Sequence, residues 1–92
     1  MQIEFDPNKD ETNRVKHGLS LRLAAKFDWE SMWAWPDLRR DYLEERMVGF
    51  VAHEKALYMV AFVDREDVRR IISLRRANRR EVIRYETERG FR

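Results

Sequence analysis

The chain has 92 residues, no cysteine, a hydrophobic fraction of 43% and a formal net charge of +2. A chain of this length supports one hydrophobic core, and its apolar content is too high for a disordered protein, so we expect a single domain over residues 1–92. The lack of cysteine excludes a disulfide framework and a thiolate metal site. No stretch is long and apolar enough to span a membrane, and the first residues lack the pattern of a signal peptide, so we expect a cytoplasmic protein without membrane contact.

The charge is distributed unevenly along the chain. Residues 1–64 carry 9 Lys and Arg against 12 Asp and Glu, whereas residues 65–92 carry 10 against 5. A basic region of this kind favours an anionic partner such as nucleic acid, although a solvated Arg and Glu surface that only provides solubility explains the same composition.

The first part of the chain predicts a short strand followed by a helix. Residues 3–5 alternate like a strand. Asp6 is a suitable N-cap and Pro7 a suitable first helical residue, so a helix should begin there and run to His17. Gly18 can adopt the left-handed conformation that ends a helix.

The remainder predicts a second helix, a run of strands and a last helix. Ser20 is a suitable cap for a short helix. Asn78 is a suitable cap for the last helix, in which Glu81 takes the third position and completes a capping box. The strands are predicted over residues 32–35, 47–52, 56–63 and 68–75. The order indicates an α+β fold in which a mostly antiparallel sheet of about four strands carries two N-terminal helices and one C-terminal helix.

Strict alternation in the last strand would divide its side chains between two faces. One face would carry Arg69, Ile71, Ser73 and Arg75, and the other Arg70, Ile72, Leu74 and Arg76.

Three stretches carry a resemblance to a known family. These are FDPNKDETNRVKHGLS near the start, EER before the third strand, and RIISLRRANRREVIRYE near the end. Together the three stretches resemble the BrnT family, the toxin half of bacterial type II toxin–antitoxin pairs. The resemblance implies a RelE-like fold and a ribonuclease that needs no metal or other cofactor. It also implies a BrnA-like antitoxin that holds the toxin inactive in a heterotetramer, with DNA contacted only through that antitoxin.

Cleavage of RNA without a metal requires a proton acceptor for the 2′-hydroxyl group and positive charge on the reacting phosphate. Arginine suits the second task because its planar fork fits phosphate oxygens and stays charged. The catalytic candidates are Arg46, Arg75, Arg79, His17 and Glu81, and the candidate RNA-binding residues are Lys16, Arg76, Arg80, Arg84 and Tyr85. Arg46 is included because it occupies the EER position of the resemblance.

Each candidate also has an ordinary structural explanation. The arginines can be solvated surface residues, and Arg84 can pair with Glu81 or Glu88 on its helix. Glu81 can be a helix cap, a proton acceptor or the group that orients an arginine. Tyr85 can be a packing residue.

His17 titrates nearest neutral pH, which suits proton transfer, but a histidine in a last helical turn also complements the helix dipole. His53 is expected to be a solvated turn residue.

The tryptophans allow two interpretations. Trp29, Trp33 and Trp35 could stack on RNA bases, or they could pack in the core. Trp33 and Trp35 should share one strand face, and we expect Trp33 in the core. The resemblance therefore implies a metal-independent endoribonuclease toxin. The alternative is a non-catalytic basic module that docks a protein or DNA.

Overall fold

The structure is a computed structural model of the chain, and it describes residues 1–89. Its strands are β1 (Gln2–Phe5), β2 (Trp33–Pro36), β3 (Met47–His53), β4 (Ala56–Arg65) and β5 (Val68–Arg76), and its α-helices are α1 (Pro7–His17) and α2 (Arg79–Arg89). Two short 3₁₀ helices, Leu21–Lys26 and Trp29–Ser31, connect α1 to β2. No helix within residues 1–89 has the length and apolar character needed to cross a membrane.

The strands form one five-stranded sheet in the order β1-β5-β4-β3-β2. The three central pairings are antiparallel, while β1 lies parallel to β5. The α+β class is confirmed, and the prediction of about four strands is corrected to five strands in a mixed sheet. The second predicted helix is a 3₁₀ helix that begins after its predicted cap, Ser20, whose hydroxyl accepts a hydrogen bond from the Arg22 backbone N–H.

One face of the sheet is covered by the first 3₁₀ helix and forms the main core. The helix contributes Leu21 and Ala24 to this core, together with its C-cap residue, Phe27. They pack against the strand residues Val51, Val60, Phe62, Ile71 and Leu74. Seven of these eight side chains are at most 1% exposed. Burying a large apolar side chain of this kind contributes roughly 1.5–3 kcal/mol to folding. On the opposite face, Tyr85 of α2 packs edge-on against Phe50, with 5.7 Å between ring centroids.

The regular alternation of β5 is interrupted in its middle. Ile71 pairs with Phe62 and Ser73 pairs with Ala61, so Ile72 is an extra residue without a partner in β4. The bulge lets both Ile71 and Leu74 enter the same core, which strict alternation forbids. The predicted faces of β5 are therefore wrong beyond Ile71, and Ser73 lies on the face opposite the core.

The bulge also separates two arginines that alternation would place together. The Arg69 guanidinium lies 4.2 Å from the ring centroid of Phe62, on the core side of the sheet. Arg75 follows the bulge and lies on the other face, beside Ser73. Arg75 pairs with Met59 of β4 and Arg76 pairs with Tyr58, and the two arginines line different cavities.

Helix α1 is held by polar contacts, because it has few apolar residues. Its aliphatic residue Val15 is 81% exposed, whereas Asp10 is buried. The Asp10 carboxylate accepts hydrogen bonds from the Ser20 hydroxyl at 2.9 Å and from the Leu21 backbone N–H at 2.7 Å. These bonds hold α1 against the first 3₁₀ helix and fix the position of the α1 C-terminus beside the sheet.

Candidate active site

A groove of about 670 Å³ lies on the sheet face opposite the main core. We call it the sheet groove. Strand side chains on this face form its floor, and the ends of α1 and α2 and the segment after β2 form its rim. The lining residues are Val48, Met59, Ala61, Ser73 and Arg75 from the central strands, with His17, Trp35, Pro36, Asp37, Leu38, Arg39 and Glu81 around them.

Arg75 and Glu81 form a two-pronged ion pair within this groove. Nη1 of Arg75 donates to one Glu81 carboxylate oxygen and Nη2 donates to the other, both at 2.8 Å. This parallel arrangement fixes the plane of the guanidinium as well as its position. The Arg75 side chain retains 36% exposure, so the guanidinium stays accessible to a ligand.

The same carboxylate caps α2, as the sequence predicted. The Asn78 side-chain oxygen accepts a hydrogen bond from the Glu81 backbone N–H at 2.8 Å, and Glu81 accepts one from the Asn78 backbone N–H at 2.9 Å. This reciprocal pair is a capping box. The start of α2 therefore fixes Glu81, and Glu81 in turn fixes Arg75.

Both members of the ion pair are charged at neutral pH. The hydrogen bonds from Arg75 lower the pKa of Glu81, with smaller help from the Asn78 amide. The bond to Glu81 raises the pKa of Arg75. Because both carboxylate oxygens already accept bonds, Glu81 is suited to orient Arg75 and poorly suited to take a proton from a substrate.

His17 reaches the same groove from the end of α1. The helix ends there because Gly18 adopts a left-handed conformation, with φ of 72°, as predicted from the sequence. Partial burial lowers the pKa of His17, and the positive charges of Lys16 and Arg75 lower it further. This lowering favours the neutral imidazole, the form that can accept a proton.

Lys16 lies beside the groove. It lines a smaller adjoining cavity, which shares His17 and Ser73 with the sheet groove and also includes Lys9. The two cavities therefore adjoin, and the lysines add positive charge along α1.

Arg46 does not line the sheet groove. Its guanidinium carbon lies 4.1 Å from the ring centroid of Tyr42, and its carbonyl accepts a hydrogen bond from the Asp37 backbone N–H at 2.7 Å. Its Nε is buried and has no hydrogen-bond partner among residues 1–89. The structure places Arg46 within the connection between β2 and β3, where it packs the loop.

The other candidate arginines lie on or near α2. Arg79 and Arg80 are exposed in its first turn. The Arg84 guanidinium lies over Trp33 and Trp35, at 5.4 and 5.2 Å from their ring centroids, and is 4.0 Å from Glu88. The expected pairing of Arg84 with Glu88 is confirmed.

A second cavity, of about 640 Å³, contains two of the predicted RNA-binding residues. Arg76 and Tyr85 both line it, together with Leu57, Val82 and Arg89. Tyr85 is buried and acts as a packing residue, one of the two roles expected for it. The structure thus separates Arg76 and Tyr85 from the sheet groove.

The aromatic residues have mainly packing roles. Trp33 and Trp35 share one strand face, as predicted, with 5.3 Å between their ring centroids, and both contact Phe50. Trp35 also lines the sheet groove. His53 was expected to be solvated, but its side chain is only 19% exposed, because the ring packs 5.6 Å from that of Phe27.

Sequence reasoning missed Asp37 and Arg39, which the structure places at the groove rim. They lie in the charged segment after β2, where no helical or strand periodicity points to them. The available signal was the Pro-Asp pair at residues 36 and 37, a combination that is typical of a tight turn.

Within residues 1–89, no group of three or more His, Cys, Asp or Glu side chains is arranged to hold a metal ion. The positive charge in the groove comes from Arg39 and Arg75.

Comparison with known proteins agrees with the resemblance. No curated protein matches the chain. A family model described as "Ribonuclease toxin, BrnT, of type II toxin-antitoxin system" matches residues 5–81, a span that contains every residue lining the sheet groove. Because this match covers most of the chain, the protein belongs to the BrnT family of type II ribonuclease toxins.

Proposed function

We propose that this protein is a metal-independent endoribonuclease toxin that cuts RNA in the sheet groove. The observation that carries the proposal is that the fold brings His17, Arg75 and Glu81 to one groove although they come from opposite ends of the sequence. The family match supports a ribonuclease. The geometry supports a separate role for each of these three residues.

In the proposed reaction the 2′-oxygen of a ribose attacks the adjacent phosphorus. The bond from phosphorus to the 5′-oxygen breaks, which leaves a 2′,3′-cyclic phosphate and a new 5′-hydroxyl group. His17 takes the proton of the 2′-hydroxyl, because it lines the groove and its lowered pKa favours the neutral form that can act as a base. The leaving 5′-oxygen takes its proton from water in the open groove.

Arg75 is the group suited to stabilise the transition state. Negative charge increases on the phosphate oxygens as the five-coordinate phosphorus forms, and a fixed guanidinium favours that charge more than it favours the bound RNA. Glu81 acts as a positioning residue, since it holds the guanidinium through two bonds. The fixed positive charge of Arg75 supplies the stabilisation that other nucleases obtain from a metal ion.

Other positive residues would bind the flanking RNA. Lys16 lines the adjoining cavity along α1, and Arg79 and Arg80 are exposed in the first turn of α2, next to Glu81 in the sequence. Arg84 is accessible but is held over Trp33 and Trp35. Arg46, Arg76 and Tyr85 lie elsewhere, and we assign them no part in the chemical step.

We further propose that a BrnA-like antitoxin silences the enzyme by covering the groove with acidic residues, in a heterotetramer that meets DNA only through the antitoxin. The family description supports an antitoxin partner. A small DNA-binding protein encoded next to this one would agree with the proposal, and adding it in equimolar amount should stop RNA cleavage.

The central experiment is to incubate the purified protein with RNA in EDTA and analyse the ends of the products. We expect cleavage with 2′,3′-cyclic phosphate and 5′-hydroxyl ends, and no cleavage of the same strand made as DNA, which lacks the attacking oxygen. Cleavage that appears only after Mg²⁺ or Mn²⁺ is added would contradict metal independence. RNA that is bound but stays intact in every buffer would support the non-catalytic docking module instead.

A further inference from the structure

The segment between β2 and β3 contains a second arginine that is held by a carboxylate. Asp37 is only 5% exposed. Its carboxylate accepts hydrogen bonds from Nε and Nη2 of Arg39, both at 2.8 Å, from the Arg39 backbone N–H at 3.2 Å and from the Tyr42 hydroxyl at 3.1 Å. These four bonds satisfy the buried charge and hold the guanidinium in one orientation.

Arg39 remains accessible although it is fixed. Its side chain is 78% exposed, while the Asp37 side chain is 2% exposed. A guanidinium has five N–H donors, and Asp37 uses only two of those on Arg39, so three are not used by Asp37. Exposed ion pairs are usually mobile and weak, but a buried carboxylate with four donors makes this one an anchored pair.

Arg39 and Arg75 line the same groove, and each is held by its own carboxylate. The two positive charges are close enough that Arg39 opposes the upward shift that Glu81 produces in the pKa of Arg75. Holding two like charges near each other costs free energy, and an anion between them would offset that cost. Phosphate is the anion that a guanidinium fork fits best in RNA.

We propose that Arg39 binds the RNA phosphate next to the one that Arg75 contacts, so that the groove recognises two consecutive phosphodiesters of a single strand. This inference rests on the proposed ribonuclease function and extends it to a second phosphate subsite. Asp37 would be the positioning residue of this subsite, as Glu81 is for Arg75. Because the neighbouring phosphate does not change during the reaction, Arg39 should act on binding rather than on the chemical step.

Arg39→Ala tests the subsite, and Arg40→Ala is the matched control. Arg40 is the next residue, is exposed, and lines a different cavity within the loop. The probe is a short, uniformly 2′-O-methylated RNA, which keeps its phosphates but cannot be cut by attack of its own 2′-oxygen. We expect Arg39→Ala to bind it about tenfold more weakly at low salt and to flatten the plot of log affinity against log salt by roughly 0.7. Arg40→Ala should keep the parental slope.

Cleavage of ordinary RNA provides an independent measurement. Arg39→Ala should raise KM and leave kcat unchanged, which is the pattern for lost binding that is uniform between substrate and transition state. A fall in kcat with an unchanged KM would overturn the assignment to the neighbouring phosphate. Parental KM and salt slope in a folded Arg39→Ala protein would mean that Arg39 only neutralises Asp37.

Removing Arg39 leaves Asp37 buried without its main partner, so folding must be checked by thermal unfolding. If Arg39→Ala unfolds, Arg39→Gln carries the test, because its amide can still donate to Asp37 but it has no positive charge. Should the parent bind the methylated RNA but cut no RNA, the proposed enzyme function fails while the slope still decides the subsite. A parent protein that does not bind RNA would overturn both.

Discussion

Asn13 completes the edge of β5 by bonding to both backbone groups of Leu74, a residue 61 positions later in the chain. The Asn13 amide nitrogen donates to the Leu74 carbonyl at 2.8 Å, and its oxygen accepts from the Leu74 N–H at 3.0 Å. β1 pairs with β5 only as far as Ile71, so this side chain satisfies backbone groups that a longer strand would have paired. The contact holds α1, and therefore His17, against the strand that carries Arg75.

We predict that Asn13→Ala lowers the free energy of unfolding by at least about 2 kcal/mol, because it leaves two buried backbone groups without partners. Urea unfolding would measure the change. Asn8→Ala is the matched control, since Asn8 is an exposed asparagine in the first turn of the same helix. Equal unfolding midpoints for the two variants would show that the Asn13 bonds add little to stability.

Arg75→Ala should lower the rate of RNA cleavage by at least about tenfold, roughly 1.4 kcal/mol of barrier, because a fixed charge at the reacting phosphate is lost. Glu81→Gln should give a smaller loss, since the guanidinium stays but is held less firmly. Single-turnover cleavage on folded variants would measure both effects.

Arg79→Ala and Arg84→Ala provide the comparison for this prediction. The sequence suggested a catalytic role for Arg79, but its side chain is exposed in the first turn of α2 and does not line the groove. We expect both changes to weaken RNA binding and to leave the rate of the chemical step close to the parental value. If Arg79→Ala lowers the cleavage rate as much as Arg75→Ala does, Arg79 takes part in the chemical step.

His17 should make cleavage depend on pH in one direction. The ordinary pKa is 6.5, and burial together with Lys16 and Arg75 lowers it. The proposed base must be neutral, so the rate should be constant near pH 7 and fall as the pH drops through a midpoint below 6.5. Lys16→Met removes one of the lowering charges and should move that midpoint upward.

His17→Gln should abolish the acid limb of the profile along with most of the activity. His53→Gln is the control, because His53 packs against Phe27 away from the groove residues, and its profile should match the parent. An unchanged acid limb in His17→Gln would mean that another group takes the proton.

Stability should also decrease in acid because of the two anchoring carboxylates. Hydrogen bonds from Arg39 lower the pKa of Asp37 far below its ordinary value of 3.8, and Arg75 lowers that of Glu81 below 4.5. The folded protein therefore binds fewer protons than the unfolded chain at low pH. Their contribution to stability is present above those ordinary values and is lost as the pH falls through the lower folded values.

Asp37→Asn should consequently flatten the dependence of unfolding free energy on pH below about 3.8. Asp41→Asn is the control, since Asp41 is an exposed carboxylate in the same segment. Urea midpoints measured across a pH series would distinguish the two variants. The same pH dependence in both would contradict a special role for Asp37.

Local signals explain why some of this structure was predictable. Helix α1 has the predicted bounds because Asp6 and Pro7 define its start and Gly18 defines its end. The start of α2 follows from the capping box between Asn78 and Glu81. Such signals depend on residues a few positions apart, and the sequence displays them directly.

The features that were missed depend on distant contacts. The bulge at Ile72 arises because both Ile71 and Leu74 are buried in the core, and a pattern of alternating residues assumes a regular ladder. The parallel pairing of β1 with β5 joins opposite ends of the chain. Asp37 and Arg39 lie in an irregular segment without periodicity, so their position at the groove could not be read from the sequence.

Asn78→Ala tests the connection between the helix cap and the groove. Removing the side-chain acceptor should cost about 1 kcal/mol of unfolding free energy, because the Glu81 backbone N–H loses its partner. The same change loosens the turn that positions the Glu81 carboxylate against Arg75, so cleavage should slow by a few-fold while the affinity for RNA changes little. Arg80→Ala, an exposed change in the same helical turn, should leave the unfolding midpoint in place. If Asn78→Ala unfolds at the parental denaturant concentration and cuts RNA at the parental rate, the capping box does not hold Arg75 in its working position.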